Sequence, residues 1–224
     1  MSIEAIKRVE KAIEEIKRGK MVIMMDDEDR ENEGDLVYAA TFSNHDMVNF
    51  MAKEARGLIC TPVTKEIASK LDLIPMVTNN VSNYETAFTV SIDSANAETG
   101  ISAAERDDCI SKLANPQTVS EDFVRPGHIF PLIAKDGGVL VRTGHTEGSV
   151  DLCKLAGLAP AAVICEIIKD DGKMARMDDL EIFSKEHDMV IVYISDIVEY
   201  RLANEQLVKR VSDEESELRG IKVE

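Results

Sequence analysis

Short apolar runs recur along the whole chain and are separated by polar or amphipathic stretches. Most have the length of a buried strand, about four to eight residues, and several are rich in Val and Ile. The predicted strands are residues 21–25, 36–40, 58–63, 87–92, 137–142, 161–168 and 189–194. The segment RPGHIFPL, residues 125–132, contains two prolines and a glycine, so we predict a connection there.

Between these runs, apolar residues recur every three or four positions, which is typical of amphipathic helices. In the first such stretch, which ends at Gly19, the residues Ile6, Val9, Ile13 and Ile16 fall on one helical face. The other predicted helices are residues 44–55, 64–71, 102–114, 146–157, 177–187 and 195–206.

Strands and helices therefore interleave over nearly the whole chain, which predicts an α/β fold. We expect a single domain with three layers, α/β/α, built on a mixed, twisted sheet. We assign residues 1–204 to this domain because no Pro/Gly/Ser-rich linker divides them. Residues 205–224 are a charged C-terminal tail, and the pattern allows either an extra helix or a frayed end there.

Composition narrows the class of protein. Apolar residues make up 44% of the chain and charged residues 30%, as in soluble globular proteins. No apolar run approaches the ~20 residues that span a bilayer, and the charged N-terminus lacks the apolar segment of a signal peptide. The net charge of -16 argues against nucleic acid as a partner. The four cysteines are widely spaced, which fits reduced thiols, so we predict a cytoplasmic protein with no membrane contact.

An acidic cluster lies between the first two predicted strands. Seven of the ten residues from Asp26 to Asp35 are carboxylates, and Arg30 is the only cation among them. A solvated loop between strands explains this composition at little cost. Alternatively, the carboxylates hold a divalent cation or a polyol, because Mg²⁺ prefers oxygen ligands and carboxylates can also remove protons from carbon.

A second candidate site is the segment VRTGHTEGSVDL, residues 141–152, where a predicted strand turns into a helix. Thr146 is a candidate N-cap, and Arg142 and His145 lie beside the free N–H groups of the helix start. Such a combination can bind an anion or a phosphate. The alternative is an ordinary capped turn with His145 on the surface.

Two further residues are candidates for acid–base chemistry. His128 lies in RPGHIFP, where prolines and a glycine restrict the backbone, although taken alone the pattern favours a turn with His128 in water. Glu166 interrupts an apolar strand, so it either faces outward at a sheet edge or faces a pocket where desolvation would raise its pKa. His45 and His187 lie in charged helical surroundings and are predicted to be structural or exposed.

The order of five segments resembles a known family. DDEDRENEGDL, TGISAAER, RPGHIFPL, GGVLVRTGHTE and DDGKMAR are similar to the successive motifs of 3,4-dihydroxy-2-butanone 4-phosphate synthase, over residues 10–201. The resemblance implies conversion of D-ribulose 5-phosphate to L-3,4-dihydroxy-2-butanone 4-phosphate and formate in riboflavin biosynthesis. It implies a metal-stabilised enediolate, a dehydration, an acyl shift and loss of C4. It also implies a homodimer with sites near the subunit interface.

The resemblance further implies roles for individual residues. Mg²⁺, with Mn²⁺ as the alternative, is held by Glu31 and His145, and no organic cofactor is needed. His128 and Glu166 are the catalytic pair. The substrate contacts are Arg30, Glu31, Asp35, Arg142, Thr143, Gly144, His145, Thr146 and Glu166. Additional positions are Glu33 and Cys60 near the reacting carbons, and Thr99 and Arg106 near the phosphate.

Three positions depart from the usual family pattern. Glu105 replaces an Asp, Cys109 stands where a Thr is usual, and Gly148 replaces an Ala. Losing the Thr hydroxyl would change phosphate or dimer contacts, whereas the glycine would cost helix propensity only. The tail lacks the clustered cysteines of the GTP cyclohydrolase II domain fused to many relatives. We therefore expect the monofunctional form, or a tail left where a fusion would begin.

Two rival functions remain open. A sugar-phosphate isomerase or aldolase would use the same enediolate chemistry but stop before formate is released. A divalent-cation or nucleotide-binding module without enzymatic activity would bind metal regardless of His128 and Glu166. Formate release separates the synthase from both rivals.

Overall fold

The computed structural model describes residues 3–206 and, for the backbone alone, residues 216–218 and 221–223. Seven strands form one mixed sheet with the order β4-β5-β3-β6-β2-β1-β7. These strands are β1 (Val22–Met25), β2 (Gly34–Ala39), β3 (Cys60–Val63), β4 (Ile92–Ser94), β5 (Phe123–Ile133), β6 (Ala162–Glu166) and β7 (Ile191–Tyr193). The β1–β7 and β3–β5 pairs are parallel and the other pairs are antiparallel.

Helices cover both faces of this sheet. They are α1 (Ile3–Lys17), α2 (His45–Phe50), α3 (Lys65–Lys70), α4 (Ala103–Ala114), α5 (His145–Leu155), α6 (Met177–Glu186) and α7 (Ile194–Asn204). Helix α2 continues as a π-helical turn, Met51–Ala55. Within the described residues, no helix combines the length and apolar character that a membrane span requires.

The two faces of the sheet carry separate apolar cores. Along β2, Leu36 and Tyr38 pack with residues of α2, α4 and α6, whereas Val37 and Ala39 pack with residues of α1, α5 and α7. The alternation follows from the strand geometry, in which successive side chains point to opposite faces. The predicted α/β fold, with a mixed sheet between two helical layers, is therefore confirmed.

Residues 125–132, predicted as a connection, lie inside strand β5, so that prediction is wrong. The proline and glycine at 126 and 127 fall where the β4–β5 pairing is irregular, because Asp93 pairs with Val124 while Ile92 pairs with Ile129. Prolines are tolerated at such bulges, where a ladder hydrogen bond is already missing. The local pattern therefore suggested a turn where the sheet accommodates a bulge.

The predicted strand 137–142 is also wrong, because the chain forms a short 3-10 turn at Gly138–Leu140. Gly137 and Gly138 both have positive φ, 90° and 62°, which strand residues do not adopt. The N–H of Val139 donates to Asp151 at 2.8 Å instead of to a neighbouring strand. The predicted strand 87–92 is displaced as well, because β4 covers only Ile92–Ser94.

The C-terminal tail contains two short strands, β8 (Ser216–Leu218) and β9 (Ile221–Val223), which pair antiparallel. The remainder of the tail, residues 207–215, 219–220 and 224, lies outside the described residues. The division at residue 204 stays a prediction.

Candidate active site

The acidic loop, residues 26–33, joins β1 to β2 and folds around the carboxylate of Asp26. Asp26 is only 5% exposed, and it accepts the backbone N–H groups of Glu31 at 3.1 Å and Glu33 at 2.9 Å. Arg30 Nη1 lies 2.7 Å from a carboxylate oxygen of both Asp26 and Glu31. This part of the loop is thus an ordered, ion-paired structure and not a fully solvated turn.

Helix α5 begins at His145, and Gly144 is its N-cap in an extended conformation. Thr146, predicted as the N-cap, therefore lies inside the helix, where its side chain is buried. A Cβ atom at Gly144 would lie 2.3 Å from Arg142 Nη1. The glycine leaves room for the end of the Arg142 side chain against the helix start.

The imidazole of His145 lies in the middle of the carboxylates. Its Nδ1 is 3.6 Å from Glu31 Oε2, and its Nε2 is 3.9 Å from Asp35 Oδ1 and 3.2 Å from the carbonyl oxygen of Met24. His145 is 6% exposed, so it is not an incidental surface residue. The structure thus brings together Glu31 and His145, the two predicted metal ligands.

Asp26 joins this pair, since one ligand atom each from Asp26, Glu31 and His145 lie within 4.8 Å of one another. Asp35 Oδ1 is buried beside them and has no hydrogen-bond partner among the described residues. A buried carboxylate oxygen without a partner is costly unless a cation or substrate completes it. Carboxylate oxygens suit Mg²⁺, and adding an imidazole suits Mn²⁺ as well, so the donor set fits a divalent cation.

Proximity and burial shift the pKa values of this cluster in opposite directions. The close imidazole of His145 and then the charge of Arg30 outweigh burial and lower the pKa of Glu31 to about 2. Burial raises the pKa of Asp35 to about 7. Burial alone would lower the pKa of His145, but the charges of Asp35 and Glu31 prevail and raise it to about 9. Without a cation, the site is therefore most stable with a charged imidazole among the carboxylates.

Two guanidinium groups meet at the start of α5. The position of a Cβ at Gly144 would be 3.1 Å from Arg30 Nη2 as well as close to Arg142. Tyr84 links the two, because Arg30 lies over its ring at 4.8 Å and Arg142 Nη2 donates to its carbonyl oxygen at 3.0 Å. Arg142 is also paired with the buried Glu147. Two cations beside free helix N–H groups can bind a phosphate.

Glu166 lies directly opposite Asp35 in the β2–β6 pairing. Residues paired in this way carry their side chains on the same face of the sheet. Glu166 Oε2 accepts the backbone N–H of Leu58 at 2.8 Å, and a Cβ at Gly57 would lie 2.5 Å from the same oxygen. Glu166 therefore faces the same side as the cluster and is held in place by the segment before β3. Cys60, the first residue of β3, is buried, and burial raises the pKa of its thiol.

Among the described residues, no hydrogen bond or ion pair joins His128 to Glu166 or His145. The Nδ1 of His128 is instead 2.8 Å from Asp93 Oδ2. Gly100 covers this pair, because a Cβ there would lie 2.7 Å from His128 Nδ1. Thr99 precedes that glycine, and its N–H and hydroxyl both donate to Glu105.

Arg106 is separated from the cluster. It is half-buried on the opposite face of the sheet from His145, in the layer that contains α4, and burial lowers its pKa. Its role near a phosphate stays a prediction. Cys109 is fully buried, with its thiol 3.8 Å from the carbonyl oxygen of Ile92, so it packs beneath β4. At Gly148, a Cβ would lie 2.7 Å from the sulfur of Met24, so packing as well as helix propensity is affected there.

Three residues of the site were missed by the sequence patterns. Asp26 and Asp93 each directly follow a predicted strand. An acidic residue at a strand end is the sequence feature that could have identified them as site residues. Tyr84 lies in a long polar segment that carries no periodicity, so only the fold brings it to the two arginines.

Comparison with known proteins gives a consistent result. The family model described as 3,4-dihydroxy-2-butanone 4-phosphate synthase matches residues 10–200. A protein of that name from Wolinella succinogenes is 64% identical over 219 residues, which are 98% of this chain and 63% of the relative. Another from Helicobacter pylori strain 26695 is 61% identical and covers 95% of this chain and 62% of the relative.

Solved structures agree with the fold. A two-domain 3,4-dihydroxy-2-butanone 4-phosphate synthase from A. baumannii, RibBX, superposes with a TM-score of 0.90 at 48% identity over 95% of this chain and 63% of that chain. A synthase in complex with two magnesium ions gives a TM-score of 0.84 at 39% identity, over 88% of this chain and 97% of that one. Since this chain spans about 63% of the curated relative from Wolinella succinogenes, the monofunctional form stays a prediction.

Proposed function

We propose, because the chain belongs to the 3,4-dihydroxy-2-butanone 4-phosphate synthase family, that it converts D-ribulose 5-phosphate to L-3,4-dihydroxy-2-butanone 4-phosphate and formate for riboflavin biosynthesis. The observation that carries this proposal is the convergence of Asp26, Glu31 and His145 beside a carboxylate oxygen of Asp35 that makes no hydrogen bond among the described residues. This arrangement fits a divalent cation, and it lies next to two arginines.

The proposed chemistry needs no organic cofactor. The four-carbon phosphate and formic acid together contain the atoms of ribulose 5-phosphate, because water lost in the dehydration returns at the cleavage. A divalent cation held by Glu31 and His145, with Asp26 adjacent, would supply polarisation of the substrate oxygens. All other steps, enediolate formation, acyl shift and loss of C4, need positioned proton carriers.

The chain offers such groups on both sides of the cluster. Asp35 and Glu166 face each other across the β2–β6 pairing, and we assign them to proton transfers at the sugar carbons. Arg30 and Arg142 bind the phosphate end or the hydroxyl groups, since their guanidinium groups converge at the start of α5. We assign His128 to a further proton transfer.

The test is to incubate the protein with ribulose 5-phosphate and Mg²⁺ and to follow formate by NMR. We expect formate with Mg²⁺, or with Mn²⁺, and none when a chelator is present. Glu31→Gln should abolish the signal because it removes a ligand carboxylate. Glu28→Gln is the matched control, because Glu28 is an exposed carboxylate of the same loop.

Two other results would overturn the proposal in different ways. Solvent deuterium entering the substrate without formate would support an isomerase that stops at the enediol. Metal binding without turnover or deuterium exchange, unaffected by changes at His128 and Glu166, would support a cation-binding module.

We further propose a cytoplasmic homodimer, which the four buried, free cysteines fit in part.

A further inference from the structure

Both carboxylate oxygens of Asp93 contact His128. Asp93 lies in β4 and is 7% exposed. Its Oδ1 accepts the backbone N–H of His128 at 2.8 Å, and its Oδ2 lies 2.8 Å from the ring Nδ1 of the same residue. Within the described part of the chain, no other residue makes a hydrogen bond with the side chain of Asp93. A carboxylate only accepts, so this contact requires the proton on Nδ1.

The backbone around the pair is shaped to allow this contact. The β4–β5 register shifts between Ile92 and Asp93, which leaves residues 125–128 as a bulge without register partners in β4. A Cβ at Gly127 would lie 2.1 Å from the backbone carbon of Ile92. Gly100 has φ of 82°, and a Cβ there would lie 2.0 Å from Asp93 Oδ2. Both glycines are needed for the strand and the loop to close on the carboxylate.

The Nδ1 edge of the His128 ring contacts Asp93, whereas the Nε2 edge makes no hydrogen bond among the described residues. Its side chain is 43% exposed although Asp93 beside it is buried. Nε2 has no hydrogen-bond partner among the described residues, so it is available to a ligand. A carboxylate that needed only to fix the backbone would not also have to bind the ring.

We propose that Asp93 is a positioning residue that holds His128 as its Nδ1–H tautomer and leaves the Nε2 lone pair free to act as a base. The part played in turnover rests on the proposed function. The substrate proton passes to Nε2, Asp93 stabilises the resulting imidazolium, and the proton returns to the substrate in a later step. No further reactant is needed for this proton cycle.

The first test reads the tautomer in the wild-type protein, so it does not depend on whether a variant folds. The protein carries ¹⁵N-labelled histidine and is studied by ¹H–¹⁵N correlation at about pH 8.5, above the ordinary imidazole pKa. Signals that disappear in His128→Gln identify the residue. We expect a protonated Nδ1 and a bare Nε2, and the opposite tautomer would overturn the proposal.

The second test compares Asp93→Asn with the wild-type protein. An amide can donate to Nδ1, so we expect the Nε2–H tautomer and a kcat for formate that is lower by about 10²- to 10⁴-fold, with KM little changed. Asp196→Asn is the control, since Asp196 is also buried and pairs with Arg8 at 2.7 Å. It should alter neither the tautomer nor kcat.

The outcomes separate the two proposals. Wild-type protein that makes no formate refutes the proposed function, whatever the tautomer. Wild-type activity with an unchanged kcat in Asp93→Asn, or a loss of kcat with the Nδ1–H tautomer retained, refutes the positioning role.

Discussion

At the scale of single residues, Glu166 can be tested with little structural change. Glu166→Gln removes the proton-transfer group but keeps an oxygen that can accept the Leu58 N–H. We expect formate production to fall by about 10²- to 10⁴-fold while substrate binding, measured by calorimetry, stays nearly intact. Glu181→Gln, on the exposed side of α6, is the control. Unchanged turnover would remove Glu166 from the mechanism.

The raised pKa of His145 predicts that the free energy of unfolding of the chelator-treated protein depends on pH. This pKa is raised from 6.5 to about 9, because the charges of Asp35 and Glu31 outweigh burial. The stabilising contribution is therefore complete below pH 6.5 and is lost as the pH rises through about 9. The loss is on the order of 3 kcal/mol in the free energy of unfolding.

Urea unfolding at several pH values with chelator present measures this loss. His145→Gln should flatten the decline in the alkaline range, whereas His45→Gln should retain it, because His45 is exposed. A decline of equal size in both variants would mean that other groups cause it.

At the scale of elements, the segment of residues 80–86, before β4, holds Arg30 and Arg142, the two arginines proposed to bind substrate. Tyr84 donates its hydroxyl to the carbonyl oxygen of Arg30 at 2.7 Å. Arg142 donates to the carbonyl oxygen of Tyr84 and to Thr86 Oγ1 at 3.1 Å. Asn80 closes the segment on itself by donating to the carbonyl oxygen of Thr86 at 2.9 Å. The segment therefore couples the acidic loop to the start of α5.

Tyr84→Phe removes one of these bonds and leaves the ring under Arg30. A hydrogen bond contributes about 0.5–1.5 kcal/mol, so we expect KM for ribulose 5-phosphate to rise by about 3- to 10-fold. Steady-state formate kinetics measure the effect, and kcat should change less. Tyr200→Phe in α7 is the control. An equal rise in both variants would show that the hydroxyl bond to Arg30 is unimportant.

The elements also show where local patterns mislead. The apolar run of residues 137–142 has the composition of a strand. It forms a turn instead, because its two glycines have positive φ and the N–H of Val139 donates to the carboxylate of Asp151. Residues 125–132 have the composition of a turn, but β3 and β4 pair with them on either side. Strand formation depends on neighbours distant in sequence, which a local pattern does not contain.

At the scale of the whole molecule, exposed apolar side chains adjoin two of the proposed proton-transfer residues, Glu166 and His128. Leu58, which is 42% exposed, donates its N–H to Glu166. Ile101, which is 56% exposed, follows the glycine that covers His128. Contiguous apolar surface is typical of an interface between subunits, whereas single exposed apolar residues are common. The homodimer stays a proposal, and these two side chains offer positions at which to test it.

The dimer is tested by placing a charge in that surface. Ile101→Arg should weaken association in sedimentation experiments and lower formate production at the same protein concentration, because a buried unpaired charge opposes assembly. Ile182→Arg is the control, since Ile182 is 65% exposed on α6. A fully active monomer would contradict the interface.

The sequence by itself determined the α/β class, most helices, and the two segments that bring Glu31 and His145 together. These features rest on periodicity and on adjacent residues, such as the carboxylates around Glu31 or the strand-to-helix turn at His145. The tertiary structure decided which partners meet. The sequence does not distinguish Asp26 from the other six carboxylates, whereas in the structure the loop folds around it. The contact between Asp93 and His128 depends on the bulge between β4 and β5. Both contacts join side chains through geometry that no local pattern specifies, because strand register and loop closure depend on the packed sheet.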